Sequence, residues 1–175
     1  NNTGQTINGK TGNIGSDINW LNAIKIYNPK SDVVVAVIDS GISLDHPELS
    51  FRLAGMVSEN NGISGYDDDG IGLIDDYVGW DFIDGDNDPS DLNGHGTNVA
   101  GIIASAHDNS IGISGVSHNT YILPLRVFDE YGQGATDEKI ILAASYAIDA
   151  GACVINLSLG KEQPFSIPLQ ESIYA

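Results

Sequence analysis

Apolar residues along this chain fall into two kinds of run, and the difference between them predicts the fold. Residues 33–38 read Val-Val-Val-Ala-Val-Ile, apolar at every position and mostly β-branched. A strand with one wet face alternates apolar and polar residues; one without alternation is buried on both faces, as in a parallel sheet. Residues 121–127 and 153–157 carry the same signature and predict two further core strands. Elsewhere the period changes. Residues 97–106 are small and apolar, which predicts a tightly buried helix. Over 137–150, Ile140, Ile141, Ala144, Ala147 and Ile148 make one helical face. Thr136 is placed to cap that helix, Asp137 and Glu138 lie in its first turn, and Gly151 stands just past its end. A shorter helix is predicted over 17–27 from Ile18, Leu21 and Ile24, capped by Ser16 or Asp17, with Pro29 and Lys30 turning the chain after it. Residues 166–175 begin another helix. Strands alternating with helices give an α/β fold, a parallel central sheet with flanking helices and right-handed crossovers.

The remaining pattern is polar. Residues 1–16, rich in Asn, Gly and Thr, read as an irregular lead-in. Residues 58–94 are long, acidic and Gly-rich, and read as an elaborated loop region rather than core. No repeat or linker divides the chain, so residues 1–175 are read as one domain. The apolar runs are far too short to span a membrane, and no basic, apolar leader opens the sequence. The expectation is a mature or trimmed piece whose export is left open.

Charge changes the picture. The net charge is -17, with seven Lys or Arg. Such a chain repels nucleic acid and anionic lipid, so neither is an expected partner. Residues 59–91 hold eleven Asp or Glu, and no Lys or Arg occurs between Leu53 and Leu125. An acidic stretch of this kind is either a solvated surface or a cation site, because crowded carboxylates without counter-charges favour a metal. Cys153 is the one cysteine, which rules out an internal disulfide; its apolar surroundings predict a buried structural thiol.

Two residues are candidates for chemistry. Asp39 ends the first apolar run, and open parallel sheets place their sites at the carboxyl ends of strands. A buried carboxylate there needs a partner, although an Asp at a strand end also serves as a turn-forming cap. His95 lies between Gly94 and Gly96, directly ahead of the 97–106 helix. The glycines let backbone or substrate approach the imidazole. The positive end of the helix dipole disfavours extra positive charge, so a nearby anion such as Asp39 would help hold an imidazolium. No Gly-rich phosphate loop follows Ile38, which argues against a nucleotide-binding or phosphotransfer protein.

Val-Ala-Val-Ile-Asp-Ser-Gly-Ile at 35–42, followed by His46-Pro47-Glu48-Leu49, resembles the aspartate motif of the subtilisin-like serine proteases. Asn93 to Gly101 resembles their histidine motif, and residues 109–116 and 154–160 are similar to further family segments in the right order. The resemblance implies the family's three-layer fold and an Asp-His-Ser triad. It gives Asp39 the role of holding the imidazole and His95 that of general base and acid. Ser158, Leu159 and Gly160 would wall the pocket for the substrate residue before the cut. Gly132, Gln133 and Gly134 would pair with extended substrate backbone. A second His usually follows the catalytic one by three positions; here Asn98 stands there, a supporting position. The oxyanion-hole Asn and the nucleophile, in a Gly-Thr-Ser motif, are expected beyond residue 175. The 175 residues alone are therefore expected to be inactive, and to associate with the C-terminal half of the domain or with themselves through the 153–157 edge.

Calcium is the cofactor that the resemblance implies. Residues 67–76, with Asp67, Asp69, Asp75 and Asp76 around a glycine turn, are similar to a calcium loop, though shorter than an EF-hand. Asp84, Asp86 and Asp88 form a second alternating set. A family site after the histidine helix maps to Glu48, Asn109 and the backbone of Ile111 and Ile113. The expectation is a secreted, calcium-stabilised serine endopeptidase acting on extended peptides. The alternative is a non-catalytic calcium-binding or interaction module with a protease-like fold, because fold does not fix function.

Overall fold

The computed structural model describes residues 4–27, 31–160 and 166–174; the predicted turn at Pro29 and Lys30 lies outside them. The chain divides into two units, residues 1–31 and 32–175.

The first unit is not wholly irregular. Strands β1 (Thr6–Ile7) and β2 (Lys10–Thr11) pair antiparallel across Asn8 and Gly9. Both turn residues have positive φ, 50° and 74°. That is the type I′ hairpin that Asn-Gly favours, so the signal lay in the dipeptide. Helix α1 (Trp20–Ile26) begins later than expected. Its N-cap is Asn19, in the left-handed region, and Asp17 accepts the Asn19 N–H at 2.6 Å instead of capping the helix.

The second unit contains β3 (Val33–Asp39), α2 (Val57–Asn60), β4 (Trp80–Asp81), α3 (His95–Ala104), β5 (Thr120–Arg126), α4 (Asp137–Asp149), β6 (Val154–Leu157) and α5 (Ile167–Tyr174). The sheet order is β4-β5-β3-β6, all parallel. Continuous apolarity in β3 has the predicted consequence. Val35 and Val37 pack with Ala100 and Ala104 of α3, while Ala36 and Ile38 pack with Ala143, Ala144 and Ala147 of α4. Helices cover both faces of β3, and its carboxyl end carries Asp39.

Three local expectations are corrected. The 58–94 region is not all loop: it contains most of α2, and its Trp80 and Asp81 pair with Leu125 and Arg126 as the edge strand β4. Two residues are too few to show a period. Ile148 is 64% exposed, because the buried arc of α4 runs through Ile140, Ala143, Ala144, Tyr146 and Ala147. At about 100° per residue, Ile148 is turned well away from Ala143. Cys153 is exposed, and Val154 is 50% exposed. Among the described residues β6 pairs on one side alone, with β3, so this segment does not close over its own thiol. The α4 boundaries agree with the sequence: Thr136 accepts the Lys139 N–H at 3.2 Å and Gly151 has φ 80°.

Candidate active site and acidic loops

The end of β3 and the start of α3 meet at one corner. His95 Nδ1 lies 2.7 Å from Asp39 Oδ1, and Asp39 is fully buried while the imidazole is half exposed. A carboxylate accepts, so Nδ1 carries the proton and Nε2 is left as the basic nitrogen. Asp39 Oδ1 also accepts the Ser40 N–H at 2.7 Å; its Oδ2 is buried without a partner. The corner is close-packed. A Cβ on Gly96 would stand 2.2 Å from the Gly41 carbonyl oxygen and 3.1 Å from Asp39 Cβ. Glycine after His95 is what lets α3 approach the strand end. Asn98 donates to the Gly94 carbonyl at 2.9 Å, bracing the turn ahead of His95.

Asp39, Ser40, Asn93, His95, Phe128, Gly132 and Ser158 line one pocket. Of the six residues expected to bind substrate, Gly132 and Ser158 are therefore brought to the pair. Gln133 and Gly134 follow on the exposed 132–134 loop. Gln133 is already bonded through both backbone groups, its N–H to Asp129 Oδ1 and its carbonyl to the Asp129 N–H, each at 2.8 Å. Ser158 Oγ accepts from Asn156 at 2.8 Å; Leu159 is half-buried and Gly160 exposed. Phe128 was not singled out from sequence, since nothing in a strand-end aromatic marks it.

The acidic segments separate into three places. In the first, carboxylate oxygens of Glu59, Asp67 and Asp69 lie within 4.8 Å of one another. Glu59 is buried and accepts the N–H groups of Asp68, Asp69 and Asp75 at 2.8–3.0 Å. It was counted in the acidic stretch but not recognised as a donor, because it lies outside the 67–76 motif. Asp76 is fully buried; one oxygen accepts from the Tyr146 hydroxyl and Oδ1 has no partner. Burial raises the Asp76 pKa, and the charges of Asp69 and Glu59 add to the rise. Burial likewise raises that of Asp69, with Glu59 and Asp67 contributing. Asp75 is turned elsewhere, its oxygens bonded to the Gly65 N–H and the Tyr77 hydroxyl.

In the second place, Asp84, Asp86 and Asp88 line a pocket with Asp81 and Arg126. Arg126 donates to Asp81, and to Asp84 at 3.0 Å. Burial alone would lower the Arg126 pKa; the two carboxylates outweigh it and hold the guanidinium charged. This set therefore has a counter-charge, which the sequence concealed because Arg126 arrives from β5. In the third, Glu48 is buried, its Oε1 accepts from Asn109 at 2.6 Å, and its Oε2 has no partner. Asn109 Oδ1 accepts the Ile111 N–H at 3.0 Å, and Gly112 and Ile113 line the adjoining pocket with Glu48.

Comparison with known proteins bears on the family and the fold. The subtilase family model matches residues 30–175. The chain is 43% identical over 126 residues to a thermophilic serine proteinase of Bacillus sp. (strain AK1), covering 72% of this chain and 25% of that protein. It is 37% identical over 130 residues to thermitase of Thermoactinomyces vulgaris, covering 74% and 38%. A crystal structure of a cold adapted subtilisin-like serine proteinase superposes with a TM-score of 0.57 at 30% identity, over 85% of this chain and 44% of that one. The chain spans less than half the length of each. The parallel sheet with flanking helices is the subtilisin-like α/β fold, and the chain belongs to the subtilase family of serine proteases.

Proposed function

We propose that Asp39 and His95 are two members of an Asp-His-Ser triad in a calcium-stabilised serine endopeptidase. The observation that carries this reading is the 2.7 Å Nδ1–Oδ1 bond at the carboxyl end of a parallel strand, inside a pocket shared with Gly132 and Ser158. Asp39 fixes the tautomer and offsets the charge when Nε2 takes the proton of a serine hydroxyl; His95 then returns that proton to the leaving amine. No Gly-Thr-Ser segment occurs in these 175 residues, so the nucleophile has to come from outside them. The chain alone is proposed to be inactive, and its one-sided β6 edge to associate with further strands, from a longer chain or a second copy. Ser158, Leu159 and Gly160 would wall the pocket, and Gly132 to Gly134 would receive extended substrate backbone once Gln133 releases Asp129.

Calcium fits two of the three acidic places, because each holds a buried carboxylate oxygen without a donor: Asp76 Oδ1, whose carboxyl feels the charges of Asp69 and Glu59, and Glu48 Oε2 beside Asn109. Glu59 extends the first donor set; Asp75 does not reach it in this arrangement. Asp84, Asp86 and Asp88 would hold a cation only alongside Arg126. The ion supplies positive charge to folded loops and takes no part in proton transfer. An extracellular setting is proposed with it, because calcium is available there and one relative, 33% identical over 156 residues, is named a cell wall-associated protease of Bacillus subtilis. No described helix is long and apolar enough to cross a membrane.

The test is hydrolysis of a peptide by the complete gene product. Turnover abolished by a serine-directed inhibitor and by His95→Ala supports the reading. Inhibitor-sensitive turnover by the 175 residues alone, or turnover that survives His95→Ala, overturns it.

A further inference from the structure

We propose that Asp91 is a positioning residue for the Asp39–His95 pair, acting through Ser40 and the first turn of α3; the inference rests on the peptidase reading above. Asp91 lies three residues ahead of the N-cap of α3, in the segment between β4 and α3. That N-cap is Gly94, which has no side chain to satisfy the open N–H groups of the first turn. Asp91 takes over the task. Its Oδ1 accepts the N–H groups of Asn93 and Gly94 at 2.9 and 2.8 Å, and its Oδ2 accepts the Thr97 N–H at 2.9 Å and the Thr97 hydroxyl. Residues on both sides of His95 are thereby tied to one carboxylate.

The same carboxylate reaches the strand that carries Asp39. Ser40 Oγ donates to Asp91 Oδ1 at 2.9 Å and accepts the Gly96 N–H at 3.0 Å. Ser40 is buried, and its own N–H donates to Asp39 Oδ1. Thr97 Oγ1, held by Asp91, accepts the Ser43 N–H at 2.9 Å, and the Asp91 N–H donates to the Ile42 carbonyl. One side chain therefore connects both backbones whose separation fixes the Nδ1–Oδ1 distance. Burial opposes ionisation of Asp91, yet its donors outweigh burial and lower its pKa, so the group is a fixed anion at a helix N-terminus.

A pairing that must hold a base in line tolerates little movement, and displacement of about 1 Å costs roughly 10²-fold in rate. The experiment compares wild type, Asp91→Ala, Asp91→Asn and Ser40→Ala in the complete gene product. Three quantities are read: kcat and KM on a peptide, the downfield proton resonance of His95 Nδ1–H in protein labelled with ¹⁵N-histidine, and the melting midpoint. In Asp91→Ala, kcat falls by about 10- to 100-fold with KM changed by less than about two-fold, and the resonance broadens or vanishes while circular dichroism shows a folded protein. Asp91→Asn, which keeps one acceptor oxygen, recovers part of both. Ser40→Ala keeps the Asp91 bonds to Asn93, Gly94 and Thr97 and removes the Ser40 hydroxyl's bonds to Asp91 and to the Gly96 N–H, so it reproduces part of the loss even where Asp91→Ala fails to fold. Unchanged kcat and an unchanged resonance in folded Asp91→Ala and Ser40→Ala overturn the proposal. An inactive wild type whose resonance collapses in Asp91→Ala counts against the peptidase reading and for the positioning of the pair.

Discussion

The corner where β3 meets α3 and the loop between α2 and β4 are both rich in carboxylates, and they solve the problem of burying them differently. At the corner, Asp39 is met by a basic group, His95, and Asp91 by a full set of hydroxyl and N–H donors. In the loop, Glu59 and Asp67 are met by N–H groups of the loop itself, and Asp76 keeps an oxygen without a donor. Among the described residues no Lys, Arg or His pairs with any of these loop carboxylates. The corner supplies its own basic partner in His95, although Asp39 Oδ2, like Asp76 Oδ1, is buried without a donor. The loop has donors for shape but lacks positive charge, which is what an added cation supplies.

The largest expected effect separates the two regions through activity. In the complete protein, Asp39→Asn lowers kcat by about 10⁴-fold by presenting the wrong tautomer, while the calcium response of the melting midpoint stays intact. A loss of that response would join two regions held here to be independent. Second is removal of calcium. At about 100 times its dissociation constant, an ion bound only to the folded state contributes about 2.7 kcal/mol, which is roughly 5–10 °C for a domain of this size. Chelator should lower the midpoint by that amount, and Asp69→Ala should erase most of the difference. Identical midpoints with calcium and chelator would remove the ion from the account. Third, Gly96→Ala drives a Cβ towards the Gly41 carbonyl and should cost about 1–3 kcal/mol, with no change in the calcium shift. Smallest is a pH effect. The Asp91 pKa is lowered on folding, so its stabilisation is fully present above the unfolded value of about 3.9 and is lost as pH falls through the folded value. Acid unfolding of Asp91→Asn should accordingly be less steep below about pH 4 than that of wild type.

Much of the corner was legible because it rests on local signals. A continuous apolar run declares β3, a lone His between glycines declares the start of α3, and Thr136 and Gly151 bracket α4. What stayed hidden depends on distant partners. β4 is two residues long and exists because β5 lies beside it. Arg126 neutralises Asp81 and Asp84 across the sheet, so a count of charges along 59–91 missed it. Glu59 joins Asp67 and Asp69 only once the loop folds back on α2. Cys153 reads as buried by its neighbours in sequence, yet the side of β6 away from β3 is unpaired among the described residues. The hairpin at Thr6–Thr11 is different: Asn8-Gly9 is a local signal that was there to be read.

The central claim is that His95, held by Asp39, activates a serine. The most direct measurement is the rate at which the complete gene product forms a covalent adduct with a serine-directed phosphonylating reagent, followed by intact mass in wild type and His95→Ala. The account predicts one adduct per chain in wild type, on a serine outside residues 1–175, forming at least about 10³-fold more slowly in His95→Ala. No adduct in the wild type, or equal rates in the two proteins, would contradict it.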